Sequence, residues 1–322
     1  MNATPPRTPR IRPRAARRLR VSPGPRSQHA RERGLHPTSV LPTLFTLGNL
    51  VAGFAAIHYA ARPTDLRIGI WEWTGLSLAG MLIFVGIFFD GIDGTIARLT
   101  RSHSALGAQL DSLCDMVTFG VAPAFMAVRL LITQFEQIDG AVWAIGPEAD
   151  WVAGRVVWGA AAVFVCCAAL RLARFNVESG LSNVNRKKMF AGLPTPGAAG
   201  AVASVVLLHQ HLLVTKFPPP DVPVEFVRWS AMVLPVVMLL CAVGMVSSIP
   251  YIHVANRYLS GATSFPVITR IVVVLFLAIW WLQETLAVLL VAYAVSGPVM
   301  LLWRRKQPAE HTEDETIPDI QR

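Results

Sequence analysis

Four aspartates between residues 90 and 115 are the side chains of this sequence best suited to chemistry. Asp90 and Asp93 are three residues apart and Asp111 and Asp115 are four apart, so each pair would share one face of a helix. Both pairs are flanked by apolar sequence, where an ionisable side chain costs roughly 2.5–3.5 kcal/mol and therefore indicates function. The pattern predicts two helices that each present two carboxylates.

Four like charges brought together repel strongly unless protons or cations intervene. No Cys or His stands at a matching spacing, and oxygen ligands alone favour a hard divalent ion such as Mg2+, Mn2+ or Ca2+. Two ions sharing these carboxylates would suit phosphoryl chemistry. The competing interpretation is helix caps or ion pairs with Arg98 and Arg101, but a cap needs one acid and not four on two faces.

Small residues accompany the aspartates at helical spacing. Gly94 lies one turn after Asp90, Ala97 one turn after Asp93, and Gly107 one turn before Asp111. The carboxylate faces are therefore expected to carry little bulk, so that a large ligand can approach the backbone. Arg98, one turn beyond Gly94, would offer a planar cation to phosphate oxygens.

Nine positions in this stretch resemble the signature of the CDP-alcohol phosphatidyltransferase family. They are Asp90, Gly91, Asp93, Gly94, Ala97, Arg98, Gly107, Asp111 and Asp115. The resemblance implies a mostly helical membrane core, commonly dimeric, that transfers a phosphatidyl group from a CDP-linked lipid to an alcohol and releases CMP.

The resemblance also implies a role for each matched residue. Asp90, Asp93 and Asp111 would hold metal, and Asp115 would complete a second ion site and act as the base for the acceptor hydroxyl. The CDP-lipid site would be lined by Gly94, Ala97, Arg98 and Gly107. The implied cofactor is Mg2+ or Mn2+, as two ions.

Composition predicts an all-α, polytopic membrane protein, because 53% of the 322 residues are hydrophobic and only 15% are charged. Eight transmembrane helices are expected, of which the first carries a polar stripe of Thr43, Thr46 and Asn49. That stripe indicates either interhelical hydrogen bonding or a role beside the nucleotide. The predicted spans are 41–61, 73–97, 107–134, 151–173, 197–215, 227–248, 266–282 and 285–303.

Three regions are predicted along the chain. Residues 1–39 form an Arg- and Pro-rich tail, 40–304 the membrane domain, and 305–322 a polar tail. Residues 1–40 carry ten Arg and one Glu, which accounts for the whole chain's net charge of +9. The first tail is expected to be disordered, as a solvated segment, a tether to anionic lipid or an organellar transit peptide, although repeated Pro disfavours the last.

Basic residues concentrate in alternate loops, as the positive-inside rule expects. With a cytoplasmic N-terminus, Arg98, Arg171, Arg186, Arg257 and Arg304 all fall on the cytoplasmic side. The predicted localisation is therefore a bacterial cell membrane, with the carboxylate site and both termini in the cytoplasm. No nucleic-acid partner is expected.

Sequence blocks around the motif are similar to membrane-embedded phosphatidylserine synthases of the same family. The blocks are LPTLFTLGN, LDSLCDMVTFGVAPA, RLARFN and FAGLPTP. They imply CDP-diacylglycerol and L-serine as substrates. Arg171 and Arg174 share a helix face and could bind the serine carboxylate, assisted by Asn176, although the same arginines would serve glycerol 3-phosphate.

Other functions remain open at the level of sequence. Within the same reaction class the acceptor could be glycerol 3-phosphate, inositol phosphate or choline. Intramembrane acids could also mark a cation transporter, but all four lie near one membrane face and no inverted repeat is evident. An inactive relative that serves in assembly is disfavoured by the complete set of acids and glycines.

Overall fold

The computed structural model describes most of the chain after residue 36. The described residues are 37–63, 67–68, 73–100, 105–139, 145–179, 192–215, 224–247, 269, 273–274, 276–277 and 280–306. Most of both predicted tails, namely residues 1–36 and 307–322, lies outside this set. The predicted limits of the three regions stay predictions.

Eight α-helices and one π-helical turn make up nearly all of the described chain. The helices are α1 (Pro37–Ala60), α2 (Gly75–Thr100), α3 (Ala105–Asp115), α4 (Ala122–Asp139), α5 (Val152–Ser179), α6 (Thr195–Thr215), α7 (Val224–Val246) and α8 (Leu282–Lys306), and the π-helical turn is Met116–Val121. The turn joins α3 to α4 without a break, so that the two helices form one long segment.

Seven helical segments of the described chain are long and apolar enough to cross a bilayer. They match seven of the eight predicted spans to within four residues at each end. The remaining predicted span, 266–282, falls mostly on residues that the structure does not describe. The prediction of an all-α polytopic membrane protein is confirmed.

Helix α1 is packed in the manner of a membrane helix, with large apolar side chains outside. Leu44, Val51 and Phe54 are 58%, 65% and 69% exposed, whereas the polar Thr46 and Asn49 face the interior. Backbone and side-chain polar groups must be satisfied inside the protein when lipid lies outside. The polar stripe predicted from the sequence therefore points into the bundle.

Helix α6 lies at the centre of the bundle, where it packs against α2, α7 and α8. Its inner residues are small and fully buried, including Ala198, Ala199 and Ala203. Small side chains let neighbouring backbones approach closely, which is the usual basis of helix association in membranes.

The segment that leads into α6 is fixed to the end of α7. The Leu193 amide donates a hydrogen bond of 2.9 Å to the Gly244 carbonyl. Gly192 has a φ of +104°, and a Cβ there would lie 2.7 Å from the Met245 carbonyl oxygen. Only glycine fits both the backbone conformation and the space, so this residue sets where α6 begins.

A short antiparallel ribbon precedes α2 and was not predicted. Its strands are Arg67–Ile68 and Trp73–Thr74, with Arg67 paired to Thr74 and Ile68 to Trp73. Two residues per strand are too few to show an alternating apolar pattern in the sequence.

Candidate active site

Three of the four predicted carboxylates converge in the structure. Asp90 and Asp93 project from α2 and Asp111 from α3, and one oxygen of each lies within 4.8 Å of the others. The i to i+3 spacing puts both α2 residues on one face, and the packing of the two helices brings that face to Asp111. The arrangement could hold a metal ion with oxygen ligands.

Asp115 stands beside this group of three. It is one turn beyond Asp111 on α3, is buried, and accepts a hydrogen bond of 2.9 Å from Asn49 Nδ2. Its charge interacts with those of Asp90 and Asp111. The four aspartates therefore form one electrostatic unit, in which three share a ligand cluster and the fourth is held by α1.

Like charges dominate the described part of the cluster. Arg171 interacts electrostatically with Asp90, and the two salt bridges seen among the described residues, His211–Glu284 and Arg228–Glu225, lie outside the cluster. Like charges at such distances disfavour the ionised forms, and burial adds to that penalty. A divalent cation would remove both penalties, and the donor set of carboxylate oxygens alone fits one.

Close packing around Thr118 brings α1, α2 and the π-helical turn together behind the site. The Thr118 hydroxyl donates a hydrogen bond of 2.9 Å to the backbone carbonyl of Asn49. A Cβ at Gly53 would lie 2.7 Å from Thr118 Cα, and one at Gly86 would lie 2.9 Å from Asn49 Oδ1. Both glycines are therefore required for the approach of these elements to Asp115.

The predicted acceptor residues occupy different positions. Arg171 is half-buried on α5, donates a hydrogen bond of 3.2 Å to Thr195 Oγ1, and interacts electrostatically with Asp115 and Asp90. Asn176 accepts a hydrogen bond of 3.1 Å from Ser112, the residue after Asp111. Arg174, by contrast, is exposed. Arg171 and Asn176 are thus linked to the carboxylates or to the helix that carries them.

The predicted CDP-lipid residues lie on the two acidic helices. Gly94 on α2 and Gly107 on α3 are partly exposed. A Cβ built at Gly91 would meet no described atom within 4 Å, so space is open on this part of α2. Ala97 and Arg98 lie on α2, but their side chains are outside the described part of the structure.

Three residues near the site were missed by the sequence reasoning. Ser112 lies between Asp111 and Asp115, and Thr195 lies inside the FAGLPTP block. Their positions within these motifs could therefore have identified both residues. Tyr293 on α8 interacts electrostatically with Arg171, and its ring lies 3.2 Å from the position of a Cβ at Gly197. Its only signal was a phenolic hydroxyl in the apolar middle of α8.

Comparison with known proteins identifies the family. A model of the CDP-alcohol phosphatidyltransferase family matches residues 39–243, which is more than half of the chain. The chain belongs to this family. The matched region contains all but the first two residues of α1, all of α2 to α6 and most of α7, and therefore all four aspartates. It also contains Arg171 and Thr195, whereas Tyr293 lies beyond it.

Several similar proteins carry the name CDP-diacylglycerol–serine O-phosphatidyltransferase. The Helicobacter pylori protein is 31% identical over 176 residues, which are 55% of this chain and 61% of that protein. The Methanocaldococcus jannaschii protein is 40% identical over 133 residues, or 41% and 52% of the two chains. The Bacillus subtilis protein is 28% identical over 174 residues, or 54% and 79%. The chain thus spans less than two thirds of the first two relatives.

Family membership agrees with the chemistry of the carboxylate group. CDP-alcohol phosphatidyltransferases are generally dependent on a divalent cation, and Asp90, Asp93 and Asp111 form an acidic group that could bind one. The residues present therefore fit the cofactor that the family implies.

Proposed function

We propose that this protein transfers a phosphatidyl group from CDP-diacylglycerol to the hydroxyl of L-serine, giving phosphatidylserine and CMP. One observation carries the proposal. Asp90, Asp93 and Asp111 bring their oxygens within 4.8 Å of one another in an apolar bundle, at the positions of the family motif. A cluster of this kind is stable when it binds cations, and cations at a diphosphate are what this transfer requires.

The cofactor in this proposal is Mg2+ or Mn2+, held as two ions. Asp90, Asp93 and Asp111 would be ligands, and Asp115 would complete the second site. When bound, the ions would neutralise the diphosphate and stabilise the charge on departing CMP. The bare face of α2 beside Gly91 and Gly94 leaves room for the nucleotide, and Ala97, Arg98 and Gly107 complete the proposed CDP-lipid site.

In the proposed reaction the serine hydroxyl oxygen forms a bond to the phosphorus of the phosphatidyl group. The bond from that phosphorus to the bridging oxygen breaks, and this oxygen leaves with CMP. The hydroxyl proton passes to Asp115. Asp115 would be a weak base beside cations, so its alignment contributes more than its basicity.

Serine is favoured as the acceptor by the names of the relatives and by the position of Arg171. A guanidinium that interacts with Asp115 and Asp90 would place the serine carboxylate next to the reacting centre. Asn176, hydrogen-bonded to Ser112, would assist from the same helix. Arg174 stays in the proposal as a contributor from the exposed side.

We also propose an inner or cell membrane location in a bacterium, with the site and both termini in the cytoplasm. The alternation of basic and acidic loops supports this orientation. A homodimer is proposed from the family resemblance.

The test is release of CMP from CDP-diacylglycerol by the purified protein in detergent micelles. L-serine, glycerol 3-phosphate and buffer are compared, each with Mn2+, Mg2+ or EDTA. The expected result is CMP release that needs both L-serine and a divalent ion, and that returns when Mn2+ is added in excess of EDTA.

Two other results would overturn parts of the proposal. Metal-dependent release with glycerol 3-phosphate alone would replace the acceptor and keep the aspartates. Absence of release with any alcohol, from protein that remains folded by thermal unfolding, would reject phosphatidyl transfer, and a cation-flux assay in vesicles would then test the transporter alternative.

A further inference from the structure

Two polar residues of α1 donate hydrogen bonds to carboxylates of the site. Thr46 Oγ1 donates a hydrogen bond of 2.9 Å to Asp93 Oδ2, and Asn49 Nδ2 donates one of 2.9 Å to Asp115 Oδ1. Thr46 and Asn49 are three residues apart and so share one helix face. They are only 6% and 0% exposed, and neither bond can be replaced readily by solvent.

Each bond restricts the carboxylate that accepts it. The terminal torsion of an aspartate is broad and roughly two-fold, so an unrestrained carboxylate samples many orientations. With one oxygen bonded to α1, the remaining oxygen of each group is left for another ligand. The stripe therefore selects which edge of Asp93 and of Asp115 is presented to the site.

The hydroxyl of Thr46 has two acceptors within reach. Its oxygen lies 3.1 Å from the Pro42 carbonyl oxygen and 2.9 Å from Asp93 Oδ2. One hydrogen serves one acceptor at a time, and an ionised carboxylate is the stronger of the two. The bond to Asp93 is therefore the preferred one whenever Asp93 is ionised.

Asn49 would lower the stability of the fold if its role were purely structural. Its Oδ1 is buried and has no hydrogen-bond partner among the described residues. Gly86 nevertheless leaves space at Oδ1, and Thr118 holds the backbone here by donating to the backbone carbonyl of Asn49. A buried amide that pairs only its nitrogen, and pairs it with Asp115, is explained by what it does to Asp115.

We propose that Thr46 and Asn49 are positioning residues, Thr46 for metal binding through Asp93 and Asn49 for the acceptor step through Asp115. This proposal rests on the proposed function and goes beyond it. Partners of metal-binding side chains orient those side chains without touching the ion. Thr46 is therefore expected to affect the affinity for Mn2+, and Asn49 to affect kcat.

Thr46 is tested by Mn2+ binding, measured as loss of the free Mn2+ signal in electron paramagnetic resonance. Thr46→Val keeps the shape and removes the hydroxyl, Thr46→Ser keeps the hydroxyl, and Ser204→Ala is the control. Ser204 is a buried residue of α6 that bonds only its own helix, at Ala201. We expect about tenfold weaker Mn2+ binding in Thr46→Val, since loss of such partners costs roughly 10- to 100-fold. Binding in Thr46→Ser and Ser204→Ala should equal that of the wild type.

Asn49 is tested by separating kcat from KM. Asn49→Ala should lower kcat roughly tenfold or more, while the KM for L-serine stays within twofold of the wild type. A parallel rise in the KM for L-serine and the KM for CDP-diacylglycerol, with unchanged kcat, would overturn the role of Asn49 at Asp115.

The same measurements separate failure of this proposal from failure of the proposed function. If the wild type binds Mn2+ and releases CMP but Thr46→Val binds Mn2+ equally well, the positioning role of Thr46 is wrong. If the wild type neither binds Mn2+ nor releases CMP, the proposed function is wrong and this proposal is wrong with it.

Discussion

Two polar clusters lie along α2, one at its start and one in its second half, and they are built on opposite principles. At the start of the helix, Thr74 donates to Gln210 Oε1 at 3.0 Å and lies 2.8 Å from Ser77 Oγ. About 24 Å further along the helix, by the rise of an α-helix, Asp90 meets the other carboxylates. The first cluster pairs neutral donors with neutral acceptors, whereas the second gathers acceptors of one charge.

The difference shows that burial of polar groups in a membrane protein does not by itself indicate function. Thr74 and Gln210 are as deeply buried as Asp93 and Asp115. Their hydrogen bond satisfies both partners and stabilises the packing of α2 against α6. The carboxylates cannot pair with one another in this way, so it is the gathering of like charges that distinguishes the candidate active site.

The largest effect is expected at the acidic cluster. Asp90→Asn should lower CMP release by roughly 100-fold or more, because it removes a metal ligand and a charge at the diphosphate. Thermal unfolding in detergent should be unchanged or occur at higher temperature, since like-charge repulsion is relieved. Asp150→Asn, at an exposed acid outside the helices, is the matched control. Activity retained in Asp90→Asn would contradict the ligand role.

A smaller effect is expected from the two arginines of α5. Arg171→Ala should raise the KM for L-serine about tenfold, as expected for loss of a hydrogen bond to a charged group. Arg174→Ala should raise it less, because its side chain is exposed. Initial rates at varied L-serine and fixed CDP-diacylglycerol measure both. Equal effects of the two substitutions would show that the difference in burial has no bearing on the acceptor.

The smallest effect on turnover is expected at the neutral cluster. Thr74→Val leaves the Gln210 oxygen without this donor and should destabilise the protein by about 1–3 kcal/mol, the usual cost of an unpaired buried group. The measurement is unfolding of the purified protein in mixed micelles, together with CMP release at saturating substrates. Turnover should match that of the wild type, and a large loss would mean that the two clusters along α2 are coupled.

Periodicity and charge in the sequence were sufficient for the helices and for the pairing of the aspartates. The i to i+3 spacing of Asp90 and Asp93 defines a face whatever the neighbours are. Seven spans follow from hydropathy alone, because a bilayer requires a fixed length of apolar helix.

What the sequence could not supply is which faces meet. Thr46 and Asn49 were visible as a stripe, but their partners depend on how α1 is rotated against α2 and α3. Arg171 and Arg174 show the same limit. Their spacing of three residues predicted a shared helix face, but Arg171 is half-buried and Arg174 is exposed. The contact between Tyr293 and α6 depends on packing between distant parts of the chain, which no local pattern encodes.

The π-helical turn Met116–Val121 holds one residue more than an α-helix needs to turn through the same angle. A π-helix has more residues per turn than an α-helix, occurs mostly as a single turn and is frequent at functional sites. Loss of one residue here would let the chain continue as an α-helix, with α4 close to its present rotation relative to Asp115. Only residues within the turn, including the buried Thr118 and Phe119, would change the direction in which they face. A single-residue deletion in this turn should therefore be better tolerated than one within α3 or α4, where it would rotate the following residues by about 100°.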